Sequence, residues 1–133
     1  MGLDNGIIVK GIPKEEWVKC PTVSEDVTSE SSECEEYEVA YWRKCWGVRR
    51  AILGKFHFGE EGGEFELGVE DIPALCKIMR KFLNPKFFEE EADSIWEYED
   101  MFEGFIDTII RLTWLKYYMG THPEVKLLFY DSY

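Results

Sequence analysis

Apolar positions along the chain switch between two periods, and the switches mark out the elements. Gly6 to Lys10 (GIIVK) is a short β-rich run between glycines and predicts a first strand. Pro13 then opens a single helical turn over 14–18. Residues 21–38 (PTVSEDVTSESSECEEYE) show no period and predict an acidic loop. From Val39 to Leu53, Tyr41, Trp42, Cys45, Trp46, Val48, Ile52 and Leu53 share one arc at about 100° per residue. Arg43, Lys44, Gly47 and Arg50 face the other way, so the segment predicts a helix, stopped by Gly54. After a GEEGG turn, Glu64 to Leu67 alternates like a strand.

A second helix is expected from about Asp71 to Leu83, with Pro73 in its first turn and Ile72, Leu75, Cys76, Ile78, Met79, Phe82 and Leu83 inward. The third and longest covers about 95–119. Ser94 and Glu97 have capping-box spacing at its start, and Tyr98, Met101, Phe102, Phe105, Ile109 and Leu112 form its apolar stripe. Gly120 and Pro123 end it, and Val125 to Tyr130 (VKLLFY) closes the pattern as a strand. These elements predict an α+β fold: three helices packed on a small, mainly antiparallel sheet formed by the terminal strands and a central strand. Residues 1–133 read as one domain with an acidic loop at about 21–38. Hydrophobic residues at 45% and aromatics at 16% are enough for a real core.

Charge changes the picture. The net charge is −12, and it is organised in blocks. Residues 24–38 hold seven acids and no base, residues 39–57 five bases and no acid, and residues 88–107 nine acids and no base. Such a balance favours solubility, disfavours direct contact with nucleic acid or anionic membrane, and makes basic proteins the natural partners. On the third helix, Asp93, Glu97, Asp100, Glu103 and Asp107 fall opposite the apolar stripe, lengthened by Glu89, Glu90 and Glu91. This face reads as an anionic docking surface that imitates a phosphate backbone. It reads equally as a solvated face or as a counter-surface for the chain's own basic segment. Trp96 and Trp114 project to the same side by helical arithmetic, as interface anchors or as core covered by other elements.

Arg49 is the other anomaly, because it falls within the apolar arc of its helix. It must find a carboxylate or several carbonyls. One solution is an internal ion pair or a tryptophan stack. The other is an anion or ligand pocket with Tyr41, Arg43 and Lys44, aided by Glu99 and Asp100.

Positive signs of catalysis are few. There is no P-loop, GxGxxG, GxSxG or HExxH motif, so no catalytic residue is assigned and no cofactor is expected. His57, between Phe56 and Phe58, is the best general-base candidate and is more simply a structural histidine. The cysteines (Cys20, Cys34, Cys45, Cys76) form no CxxC pair, so no metal site is expected and free thiols in a reducing compartment fit best. Cys45 and Cys76 fall on apolar helix faces. The N-terminal residues do not have the pattern of a secretory signal. No apolar run approaches the roughly 20 residues that span a bilayer.

Four segments carry a resemblance: Met1-Gly2-Leu3-Asp4, Glu38-Val39-Ala40-Tyr41-Trp42-Arg43-Lys44, Tyr98-Glu99-Asp100 and Phe129-Tyr130-Asp131-Ser132-Tyr133. In this order and spacing the chain resembles a family of small bacteriophage and prophage proteins with an MGLD start, a YWRK helix and a YED helix. It departs from that pattern with Ala40 in place of glycine and Arg49 in place of histidine. The resemblance implies phage origin and residence in the host cytoplasm, without a mechanism. By association with small acidic phage proteins, the leading expectation is a non-enzymatic binder of a basic host protein. An example is an inhibitor of a nucleic-acid-binding defence effector such as a CRISPR nuclease. The rival expectations are a ligand binder or enzyme built around the YWRK segment, and a structural phage component. The oligomeric state is left open.

Overall fold

A computed structural model describes residues 4–24, 36–43, 46–56, 63–84 and 95–132, with backbone alone for Asp4, Arg43, Trp46, residues 95–100 and Ser132. Both ends of the described chain alternate inward and outward, and each end supplies the other's partner. β1 (Asp4–Lys10) pairs antiparallel with β4 (Lys126–Ser132) along its whole length, from Asp4 opposite Ser132 to Lys10 opposite Lys126. β2 (Glu36–Arg43) flanks β1, and β3 (Gly63–Leu67) flanks β4, giving an antiparallel sheet in the order β2-β1-β4-β3. The expected pairing of the terminal strands is present, and the sheet is larger than expected by β2.

The four described α-helices are α1 (Lys14–Trp17), α2 (Trp46–Phe56), α3 (Ile72–Lys81) and α4 (Ile95–Thr121), with a 3₁₀ turn over Val69–Asp71 before α3. Their apolar faces share one core with the inner face of the sheet. Ile7, Val9, Leu127 and Phe129 from the strands are fully buried with Trp17, Ile52, Leu75, Met79, Phe105 and Leu112 from the helices. Each such aliphatic or aromatic side chain contributes roughly 1.5–3 kcal/mol by leaving water. The one-turn helix α1 is fixed by Trp17, which stacks on Tyr37 (centroids 6.1 Å apart) and meets Trp114 edge-on at 6.0 Å.

The largest correction concerns residues 39–43, which are a strand and not the start of a helix. The register jumps between Ile7, opposite Ala40, and Ile8, opposite Glu38, so Val39 is an extra residue, a β-bulge. Tyr37 and Val39 face the core before the bulge, Ala40 and Trp42 after it. Val39 and Trp42 thereby sit three apart on one face, a spacing that imitates a helix. The true helix, α2, begins at Trp46 and runs past Gly54, which is exposed and does not end it. The rest of the acidic loop expected at 21–38 shrinks where Glu36 enters β2, and its centre, 25–35, lies outside the described residues.

The outer face of the sheet carries Ile8 and Lys10 of β1. Ile8 is buried there, apart from the main core. Lys10 reaches from β1 to both edge strands, with Nζ 3.4 Å from Glu36 and 3.6 Å from Glu64. The two carboxylates outweigh partial desolvation and raise the Lys10 pKa. Gly6 accommodates the Tyr130 ring, since a Cβ at that position would come within 2.9 Å of the Tyr130 hydroxyl and would collide with the Ala40 carbonyl.

Candidate docking surface and a buried polar row

Helix α4 turns Phe105, Leu112, Leu115 and Met119 into the core. Thr108 is buried with them because its hydroxyl donates to the Gly104 carbonyl at 2.8 Å, satisfying the only polar atom of the side chain within the helix. Two flanks of α4 are occupied. On one, Arg111 leaves the helix surface to clamp β2 and the segment after α1. Its Nε donates to Thr22 Oγ1 (2.9 Å), Nη2 to the Thr22 carbonyl (3.1 Å), and Nη1 to the carbonyl of the bulged Val39 (3.2 Å). Thr22 is held at φ 72°, the left-handed region, next to this clamp. On the other flank, α3 brings Cys76 against Thr113.

Between the flanks, Glu103 and Tyr117 are exposed and Ile106, Asp107 and Ile110 are half-buried. Tyr117 is 75% exposed. Among the described residues, Ile106 and Ile110 are not packed against the core cluster. Glu103 and Asp107 form no ion pair or hydrogen bond among the described residues. An Asp107–Arg111 pair one turn apart would be favoured in an isolated helix. Here the guanidinium is spent on Thr22 and Val39 instead. The acidic side of α4 expected from helical arithmetic ends at Asp107. Its C-terminal continuation is the Arg111 clamp and the stacked pair Trp114 and Tyr118, 5.0 Å apart, which joins the core through Trp17. Trp114 takes the core role left open above. The backbone of Trp96, Glu97 and Asp100 lies in the first turns of α4, and Asp93 lies outside the described residues.

Of the expected pocket residues, Tyr41 and Arg49 have described side chains, and the two lie on opposite faces of the sheet. Tyr41 is 48% exposed and lies on the outer face of the sheet, opposite Gly6. Arg49 lies inside. Its Nε donates to both Asp131 carboxylate oxygens, at 2.9 and 3.1 Å, with side-chain exposures of 7% and 0%. Of the two solutions left open, an internal ion pair is therefore the one formed. The backbone of Arg43 ends β2, and Lys44 lies outside the described residues, as do Cys34, Cys45 and His57.

Asp131 and Asn5 escaped the sequence reading. Both sit on inward positions of alternating strands, Asn5 before Ile7 and Val9, Asp131 after Leu127 and Phe129. A polar residue at the inward parity of a strand was the available signal. The register sets them opposite each other, with Trp42 beyond Asn5 and Gly63 beyond Asp131.

The two described thiols are quiet. Burial pushes the Cys20 thiol up to about 11 against a smaller opposing effect of Arg111, and its Sγ donates to the Pro21 carbonyl at 3.4 Å. Burial likewise raises Cys76, and neither cysteine is in a disulfide. Thiols held protonated are poor nucleophiles. Among the described residues, no group of three or more metal-ligating side chains converges and no helix is long and apolar enough to cross a membrane. Searches against protein-family models, curated proteins and solved structures found no match.

Proposed function

We propose that this is a non-enzymatic, phage-type binding protein that works in the host cytoplasm and docks the acidic face of α4 on a basic surface of a host protein. The observation that carries the reading is the surplus of carboxylate on α4: among the described residues, Glu103 and Asp107 stand without ionic partners, beside the half-buried Ile106 and Ile110, which do not pack on the described core. Unpaired acids around apolar side chains suit a partner that presents lysine or arginine around an apolar centre. A surface that normally holds nucleic acid has the required charge, so the protein acts as a nucleic-acid mimic and antagonist of a host-defence effector.

The experiment is a fourfold charge reversal, Glu97, Asp100, Glu103 and Asp107 to Lys. A partner recovered by affinity purification from host cells is purified, and its Kd for both proteins is measured at low and raised salt. The wild type should bind with an affinity that falls as salt rises, and the variant should lose at least about 100-fold, a plausible sum for several interfacial charge pairs. Equal Kd values with an intact variant fold would end the proposal.

A further inference from the structure

Helix α3 runs against the charge of the chain. The protein has 27 acids and 15 bases, yet Ile72–Lys81 holds Lys77, Arg80 and Lys81 and no acid. Its apolar side, Ile72, Leu75, Cys76 and Met79, is buried, which leaves the three bases exposed on the outer side. The side chains of Lys77 and Arg80 form no ion pair or hydrogen bond among the described residues. Next to them, α4 has the opposite surplus. Glu103 and Asp107, equally without ionic partners among the described residues, share its outer side with the half-buried Ile106 and Ile110.

Two contacts fix the helices lengthwise. Phe82 stacks on Phe105 with centroids 6.0 Å apart, and Cys76 meets Thr113. The helices therefore run antiparallel, and Arg80, between Cys76 and Phe82, comes level with the stretch of α4 that carries Asp107. At about 100° per residue, Ile106 and Ile110 fall between Thr113, on the α3 side, and Asp107. The outer face of the pair is thus basic along α3, apolar along the middle and acidic along α4. A two-fold axis parallel to the helices keeps every level and exchanges the helices. It lays the acids of each α4 on the bases of the other copy's α3, twice over, with the isoleucines between. Opposite charges around an apolar centre are what a docking face requires.

We infer that this chain self-associates as a two-fold dimer through its α3–α4 face, Glu103 and Asp107 of each copy meeting Lys77 and Arg80 of the other. The inference does not rest on a host partner. It gives the acidic face a second occupant, so that dimer and host complex exclude each other. The face is only two helices wide, and the net charge of −12 on each copy opposes approach. The dimer is therefore weak, with a Kd on the order of 10–100 µM.

Light scattering of the full chain tests this at about 0.15 M salt, where repulsion beyond roughly 8 Å is screened. The average mass should rise from one copy towards two between about 5 and about 500 µM protein. Two double reversals, Glu103→Lys with Asp107→Lys and Lys77→Glu with Arg80→Glu, should each weaken self-association at least about 10-fold, because like charges then meet at both contacts. Mixed in equal amounts, the two variants should dimerise again. The reversed α4 of one then meets the reversed α3 of the other, and the remaining contact keeps its original signs. Should either reversal fail to fold, Glu103→Gln with Asp107→Asn, or Lys77→Gln with Arg80→Gln, takes its place, and the loss of self-association alone is read. The α3 reversal also separates this inference from host docking, since it should abolish the dimer and leave the affinity for a host partner unchanged. A wild type that stays monomeric throughout, variants that dimerise as it does, or a mixture of the two reversals that stays monomeric overturns the inference.

Discussion

Two regions of this molecule handle charge in opposite ways. At the β1–β4 end of the core a single carboxylate, Asp131, is sealed from water and matched by a single guanidinium, Arg49. On the outer side of α4, Glu103 and Asp107 keep their charge without a partner among the described residues, although Arg111 lies one turn from Asp107. The difference lies in where the cations go. Arg49 holds β4 to α2, Arg111 holds α4 to β2 and to Thr22, and Lys10 ties the two edge strands together. The described cations that reach other elements serve the fold, so the excess acid is left on the surface. A chain of net charge −12 need not repel itself apart if its few cations are placed at the joints.

The largest test of this contrast is Arg49→Met. It leaves the Asp131 carboxylate buried without its Nε donor, and the loss should be about 3–5 kcal/mol in chemical denaturation. The double variant Arg49→Met with Asp131→Leu should recover much of that, because an apolar pair of similar volume often matches a buried ion pair. A double variant no better than Arg49→Met would show that the site depends on more than the pairing of the two charges. Next comes Arg111→Met, which removes three hydrogen bonds that are partly exposed. A loss of roughly 1–3 kcal/mol is expected. The amide protons of β2 near Val39 should exchange faster, because the bulge loses its clamp. Unchanged exchange there would mean that the bulge holds without Arg111.

How much of this was readable beforehand depended on whether local pattern and tertiary contact agreed. The strands Ile7–Lys10 and Lys126–Tyr130, the helix around Leu75 and Met79, and the stripe through Phe105 and Leu112 are read directly, because one face is buried at a constant period. β2 was misread for a specific reason. The bulge at Val39 moves the inward set from odd to even positions, and the carbonyl it exposes is satisfied by Arg111, 72 residues away. No local pattern announces such a partner. The same distance hid the partner of Arg49, which lies 82 residues on, in the last strand. Arg49 was flagged as misplaced, while Asp131 and Asn5 passed unnoticed, although each breaks the inward alternation of its own strand.

A smaller effect reports on the buried thiol beside the Arg111 clamp. The folded-state pKa of Cys20 is raised to about 11 from 9.0, so the folded protein keeps a proton that the unfolded chain gives up first. The contribution to stability is therefore complete below about pH 9 and is lost as pH rises towards 11. Lys10, also raised, adds a loss in the same direction at still higher pH, above its ordinary 10.5. Denaturation midpoints should fall between pH 8.5 and pH 11, and Cys20→Ala should flatten that fall at the cost of a small cavity. An identical slope in the variant would assign the alkaline loss to other groups. Carboxamidomethylation of Cys20 at pH 8 should likewise be slow in the folded protein and fast in urea.

The smallest expected effect is the one that decides between surplus and structural acid. Glu103→Lys with Asp107→Lys should change the stability of the fold by no more than about 0.5 kcal/mol, because neither carboxylate has a partner to lose among the described residues. The sign should be slightly favourable at low ionic strength, since two reversals reduce the net charge of the chain from −12 to −8 and its self-repulsion with it. Added salt should erase that gain, because screening reduces the repulsion in both proteins. A loss above about 1 kcal/mol would show that Glu103 or Asp107 supports the fold after all, and the contrast between a matched interior and an unmatched surface would fail on its surface side.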